Sequence, residues 1–168
     1  MIIRKYEERD LIEIVKFFYD TVHIINKKDY NQKQLDAWAP KQYDLAKWNL
    51  SLSKSYTLVA VENDKIVGFG NIYPDGYLDC LYVHSEFQNQ HIATKLCDLL
   101  EEKVTGDIIV YASITAKLFF LNRNYESLKE NYVEKNGVIL KNFLMKKNQI
   151  ITCNRCISLI KKLPNIIV

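Results

Sequence analysis

Between Tyr77 and Glu102 the chain reads YLDCLYVHSEFQNQHIATKLCDLLEE: an apolar-rich run, a short polar loop and an amphipathic helical pattern in immediate succession. Helix starts expose unpaired backbone N–H groups and the positive end of the helix dipole, so such a junction can hold a phosphate. Gln88, Asn89, Gln90, His91, Ile92, Ala93 and Thr94 are the candidate phosphate-binding residues. Just upstream, Asp79 alternates with Tyr77 and Leu81, an arrangement that places all three on one face of a strand. A carboxylate there either accepts a proton or pairs with a neighbouring Lys or Arg, and the residues alone leave both open. Near the N-terminus, His23, Tyr30, Gln34 and Trp38 form an aromatic group with one imidazole, suited to an amine with a flat or apolar portion. Cys153 and Cys156 form a single C-x-x-C pair, which cannot complete a four-ligand zinc site, so no metal is expected.

The elements that must position these residues follow from periodicity. Ile2–Lys5 reads as a strand. Leu11, Ile14, Val15 and Phe18 recur at helical spacing, and Asp29 to Trp38 reads as a second helix closed by Pro40. Tyr43 to Ser53 reads as a third. Tyr56–Val61 and Ile66–Ile72 are strands about a polar turn, and Pro74-Asp75-Gly76 turns into a strand over Tyr77–Val83. The helix from about His91 to Val104 is expected to bury Ile92, Leu96, Leu99 and Leu100. A strand over Asp107–Ala112 then implies a right-handed parallel crossover. A last helix over Thr115–Asn122 precedes strands Glu126–Lys135 and Val138–Lys146, turned by Asn136-Gly137. The order predicts an α/β (α+β) fold: a mixed, mostly antiparallel central sheet with helices on both faces.

With 168 residues, 48% hydrophobic and 26% charged, the chain suits one domain with a single core. A net charge of +3 gives no basic stripe, so no nucleic-acid partner is expected. No apolar run approaches the roughly 18 residues of a membrane span, so no membrane partner is expected either. The N-terminus MIIRKYEERD lacks the pattern of a signal peptide, and Cys80 and Cys97 read as buried thiols, which places the expectation in the cytoplasm.

Three segments carry a family resemblance: Leu81-Tyr82-Val83 through Thr94, with the outline Q-x-x-x-x-A at Gln88–Ala93; Ala112-Ser113-Ile114-Thr115-Ala116-Lys117-Leu118-Phe119-Phe120; and Leu140 through Lys147. In this order they resemble the GNAT superfamily of acyl-CoA N-acyltransferases. Together with Thr21-Val22-His23 and Asp29 to Pro40, they are similar to a YafP-like bacterial branch of it. The resemblance covers residues 1–147, leaving 148–168 as a C-terminal extension. It implies acetyl-CoA as co-substrate, with the pyrophosphate on the loop and Leu81, Tyr82 and Val83 offering backbone groups to the pantetheine arm. Ser113 stands where relatives often carry an asparagine, and Phe120 stands where they carry an acidic tyrosine. His91 replaces a glycine that permits positive φ.

The implied activity is N-acetylation of a small-molecule or peptide amine by direct transfer. Asp79 is the expected base, and Tyr82 and Tyr30 are the remaining phenols for the acid. His23, Tyr30 and Trp38 are expected to roof the acceptor. A non-catalytic acyl-CoA-binding regulatory module is the alternative. The apolar residues after Ile157 admit docking on the core or on a second copy, hence a possible homodimer.

Overall fold

A computed structural model describes residues 1–149 of the chain. The Cys153–Cys156 pair and the apolar tail lie outside the described residues. In chain order the elements are β1 (Ile2–Lys5), α1 (Leu11–Ile25), α2 (Gln32–Trp38), α3 (Leu45–Lys54), β2 (Tyr56–Glu62), β3 (Lys65–Ile72) and β4 (Tyr77–Val83). They continue with α4 (Ile92–Glu101), β5 (Ile108–Ser113), α5 (Lys117–Leu121), β6 (Glu126–Lys135) and β7 (Val138–Lys147).

The strands form one seven-stranded sheet in the order β1-β2-β3-β4-β5-β7-β6, antiparallel except where β4 meets β5. This is the mixed sheet that the sequence predicts. The β6–β7 hairpin folds back so that β7, not β6, pairs with β5. Apolar residues divide between two cores. Leu78, Val83, Val110 and Ala112 meet Ile92, Leu96, Cys97 and Leu100 of α4 on one face. Val59, Ile66 and Phe69 meet Ile14, Phe17, Phe18 and Val22 of α1, with Leu35 and Leu52, on the other. Leu99, expected inside, is 37% exposed, because it lies off the stripe that Leu96 and Leu100 present to the sheet.

Local chemistry fixes the helix ends. Asn31 and Gln34 form a reciprocal capping box at α2, and Asp44 accepts from Lys47 N at α3. At the C-terminal end of α4, Glu101 is a buried carboxylate in a dense polar cluster. It accepts from Tyr125 Oη at 2.9 Å, Lys147 Nζ at 2.6 Å, Arg123 at 3.1 Å and Cys97 Sγ at 3.1 Å. The cluster ties α4 to β7 and to the segment leading into β6.

Two irregularities in β4 shape everything near it. Asn71 pairs with Cys80 and Ile72 with Leu78, so Asp79 is an extra residue, a β-bulge. On its other side β4 pairs with β5 only at Tyr77–Ile109 and Leu78–Val110. That short junction starts at Gly76, whose carbonyl accepts from Ile109 N at 3.0 Å. Gly76 has φ +90°, and a Cβ there would fall on the Asp107 carbonyl oxygen.

Gly76→Ala is therefore expected to cost more than about 2 kcal/mol, from strained backbone and a forced separation at the base of β4 and β5; denaturant unfolding measures it. A second expectation concerns acid stability. Burial alone would raise the Glu101 carboxyl, but hydrogen bonds from Lys147, Cys97 and Arg123 outweigh it and hold it below the usual 4.5. Its folded-state value is depressed, so its stabilising contribution is complete above about 4.5 and is lost as the pH falls through the lower folded value. Glu101→Gln should flatten the acid limb of stability against pH, and an unchanged limb would place the dependence elsewhere.

Candidate active site

Beyond Leu78 and Val110 the parallel pairing stops and the two strands part. A cavity of about 210 Å³ occupies the parting. On the α4 face it is walled by Leu81, Val83, Ala93, Phe119 and Phe120. Toward α1 and α2 it is walled by Thr21, Asn26, Trp38, Asp79 and Tyr82.

Backbone direction along β4 follows from one hydrogen bond. His84 N donates to Val67 O on the β3 side, so by alternation Tyr82 also turns its backbone to β3. Leu81 and Val83 then turn theirs into the gap. The expectation that all three offer backbone groups is corrected in this respect: Tyr82 offers its side chain. Gln88, also on the wall, clasps the strand end by donating to Val83 O at 2.6 Å and His84 O at 3.2 Å. Ser113 lines the cavity from β5, where its hydroxyl accepts from Ala116 N at 3.1 Å.

The loop into α4 is tightly wound. Asn89 and His91 both adopt left-handed backbone, at φ +59° and +60°. His91 thus takes the conformation that glycine takes without strain, and it does so with its side chain in solvent. Among the described residues, no side chain caps α4. Its first-turn N–H groups, including those of Ile92, Ala93 and Thr94, therefore open toward the loop without an intrahelical partner. Ile92 contributes backbone alone, since its side chain packs beneath Gly68 in the core. Asn89 and Gln90 are exposed on the loop crest, and Thr94 is half-buried.

The bulge also alters β4's faces. Asp79 was expected to share a face with Leu81; the extra residue reverses the alternation, so Leu81 joins Leu78 under α4 while Cys80 and Tyr82 turn toward the N-terminal helices. Asp79 is exposed at the cavity wall, and Tyr77 Oη donates to its Oδ1 at 3.1 Å. Tyr82 is wedged against Phe69 (ring centroids 5.4 Å, stacked) and Phe18 (5.0 Å, edge-on). Burial raises its phenol well above the ordinary range, so the hydroxyl keeps its proton. Burial, reinforced by Asp79, likewise keeps the Cys80 thiol protonated. Lys135, at the end of β6, lies close enough to feel both Asp79 and Cys80.

Two of the three expected roof residues lie elsewhere. His23 is absent from the cavity wall: its Nδ1 is 2.9 Å from Tyr19 O, its Nε2 is 3.1 Å from Asp36 Oδ1, and its ring stacks on Tyr19. It links α1 to α2. Tyr30 is buried, donating to Lys141 O at 2.7 Å and accepting from Ile114 N at 2.9 Å, which staples the end of β5 to β7. Trp38 does line the cavity and packs edge-on against Tyr30. Thr21, Asn26, Tyr111 and Thr115 line it without having been named as site residues from sequence. Thr21 was findable, because it continues the Phe17–Phe18 stripe of α1 whereas His23 falls off it.

The chain matches the family model of the GNAT acetyltransferase domain (Acetyltransf_10) over residues 26–147. It is 33% identical over 144 residues to the uncharacterized N-acetyltransferase YafP of Escherichia coli strain K12, covering 86% of this chain and 93% of that protein. A crystal structure of a GCN5-related N-acetyltransferase from Rhodopseudomonas palustris superposes with a TM-score of 0.85 at 31% identity, over 88% of this chain and 95% of that one. The PaiA N-acetyltransferase of Thermoplasma acidophilum, solved in complex with coenzyme A, shares the fold at a TM-score of 0.67 and 16% identity, over 88% of this chain and 98% of that one. On these grounds the chain belongs to the GNAT acetyltransferase family and is an N-acetyltransferase.

Proposed function

We propose that the protein transfers the acetyl group of acetyl-CoA directly to the amine of a small molecule or peptide. The observation that carries this reading is the parting of β4 from β5 beside the uncapped N-terminus of a ten-residue helix. Backbone groups of Leu81 and Val83 facing the gap suit the amides of a pantetheine arm, as an added strand would. The first-turn N–H groups of α4 suit its pyrophosphate. The fold relative solved with coenzyme A supports the same assignment.

Direct transfer is favoured because no cysteine lines the cavity among the described residues, and the Cys80 thiol beside it is held protonated. The acceptor amine must be neutral to attack, because an ammonium has no lone pair. Asp79, at the cavity wall with one oxygen held by Tyr77, is the group to receive that proton, directly or through water. N–H groups facing the gap polarise the acetyl carbonyl. The departing thiolate needs a proton where Phe120 offers none. Tyr30 has its hydroxyl committed to two backbone partners, and burial disfavours a Tyr82 phenolate, so Tyr82, on the wall, is proposed to hydrogen-bond the departing sulfur while water supplies its proton.

No described helix is long and apolar enough to cross a membrane, and no group of three or more potential metal-ligating side chains occurs among the described residues.

Acetyl-CoA is expected to raise the melting temperature, as a ligand specific for the native state must at saturation. It should also support amine-dependent release of free thiol. Thermal stabilisation without release for any amine would favour a non-catalytic acyl-CoA module instead. Asp79→Asn should lower kcat by roughly 10²- to 10⁴-fold with coenzyme A binding intact, and the deficit should narrow at higher pH as more amine is already neutral. Unchanged turnover would remove Asp79 from the chemistry. His91→Gly should relieve roughly 1 kcal/mol of left-handed strain and bind coenzyme A at least as tightly. Titration calorimetry measures this, and a marked loss would instead assign the imidazole to the phosphates.

A further inference from the structure

We propose that Lys135 binds a carboxylate on the acceptor, so that the substrate is a small zwitterionic amine of the amino-acid class. The inference deepens the transfer reading above and rests on it.

Strand register brings Lys135 to the acceptor side of the sheet. Lys135 pairs with Val138 and Val133 with Leu140, and residues directly opposite on antiparallel strands share a face. Leu140 is buried in the core beneath the N-terminal helices, so Lys135 stands on the face toward which Cys80 and Tyr82 turn on β4. The turn that follows is pinned to α2. Asn136 Nδ2 donates to Ala37 O at 3.1 Å, one residue before Trp38 of the cavity wall, and Gln34 Nε2 donates to Ile139 O at 3.0 Å. From there the Lys135 ammonium acts on Asp79 and Cys80, and Lys47 of α3 acts on it in turn.

The two opposite charges share a neighbourhood without meeting. Among the described residues Lys135 forms no ion pair. Asp79 has one oxygen held by Tyr77 and makes no contact with Lys135. Lys135 is exposed as a residue, so a ligand can reach it. Burial nonetheless lowers its ammonium from the ordinary value, so the charge has lost water without gaining a carboxylate in contact. A molecule with an ammonium toward Asp79 and a carboxylate toward Lys135 completes both. Once Asp79 has taken the proton, the carboxylate still holds the nitrogen in place for attack. A phosphate would bring a second negative charge toward Asp79, which a carboxylate avoids.

The test compares α-amino acids with their primary amides, which keep the shape and lose the charge. Acetyl-CoA-dependent thiol release is followed for the wild type and for Lys135→Met. The wild type should use at least one acid with a kcat/KM above that of its amide. Lys135→Met should lower kcat/KM for that acid on the order of 10-fold, mainly through KM. The amide should show no such loss, and the KM for acetyl-CoA and the melting temperature should hold. Lys135→Arg should keep the preference for the acid. An equal loss for acid and amide, with a shifted pH profile, would show Lys135 acting through Asp79 and overturn the proposal. Unchanged kinetics, a shifted KM for acetyl-CoA, or a wild type that favours amides or simple amines would overturn it too, leaving acetyl transfer in place. A wild-type protein inert toward acids, amides and simple amines overturns both, and that result is read before any variant is made.

Discussion

One additional residue in β4 governs the shape of the cavity at the centre of this sheet. With Asp79 inserted opposite the Asn71–Ile72 step of β3, β4 cannot hold register with β3 and continue beside β5 as well. Bulges bend and twist the strand that carries them, and here the parallel junction ends after two residue pairs. Backbone polar groups past that point are left without strand partners. Gln88 satisfies one of them by donating to Val83 O, and on the proposed reading a molecule carrying its own amides satisfies others along the gap. The sheet thus contains a vacancy of strand shape, and the cavity is its volume.

Keeping that parting open while the rest of the sheet stays closed requires fixed walls. Glu101 supplies one anchor: four side-chain donors converge on its carboxylate from α4, β7 and the approach to β6. Removing a partner from a buried charge costs far more than the pair adds over an apolar substitute, so such a cluster specifies position more than it adds stability. Tyr30 supplies the other anchor, bridging Ile114 N and Lys141 O so that β5's end cannot drift toward β4. Its phenol looks like a site residue in sequence because a tyrosine on a covering helix has two plausible uses. Only the geometry of its two backbone partners distinguishes a staple from a ligand.

The sheet, the helices and the strand–loop–helix junction were all legible in the sequence, since each rests on local signals: alternation, helical spacing and a polar loop at a helix start. What was not legible shares one cause. The bulge at Asp79 has no local signature in YLDCLYV, and yet it decides which face every later side chain of β4 occupies. Strict alternation therefore placed Leu81 with Asp79 on one face, where the bulge sets them apart. His23 was read as a site residue for its chemistry, whereas the apolar stripe of α1 identifies Thr21 two positions earlier. Periodicity was the better guide there than residue type. His91 illustrates the converse: a departure from glycine visible in sequence is accommodated in the fold by a left-handed backbone at φ +60°, because only the side chain, directed to solvent, has changed.

The bulge also separates two tasks that a regular strand would confound. In unbroken alternation, the residues presenting backbone groups to the gap and the residue carrying the carboxylate would share one face, and a base placed there would compete with the arm for the same space. With Asp79 inserted, Leu81 and Val83 keep their side chains packed beneath α4 while Asp79 and Tyr82 face the covering helices. In the proposed mechanism, cofactor contacts then come from backbone, which tolerates sequence change, and proton handling comes from side chains on the opposite side. On the proposed reading, an acceptor approaching from α1 and α2 meets the carboxylate and the phenol without crossing the cofactor's path. On that reading, a change of acceptor falls on α1 and α2, while the gap between β4 and β5 and the N-terminus of α4 stay as they are.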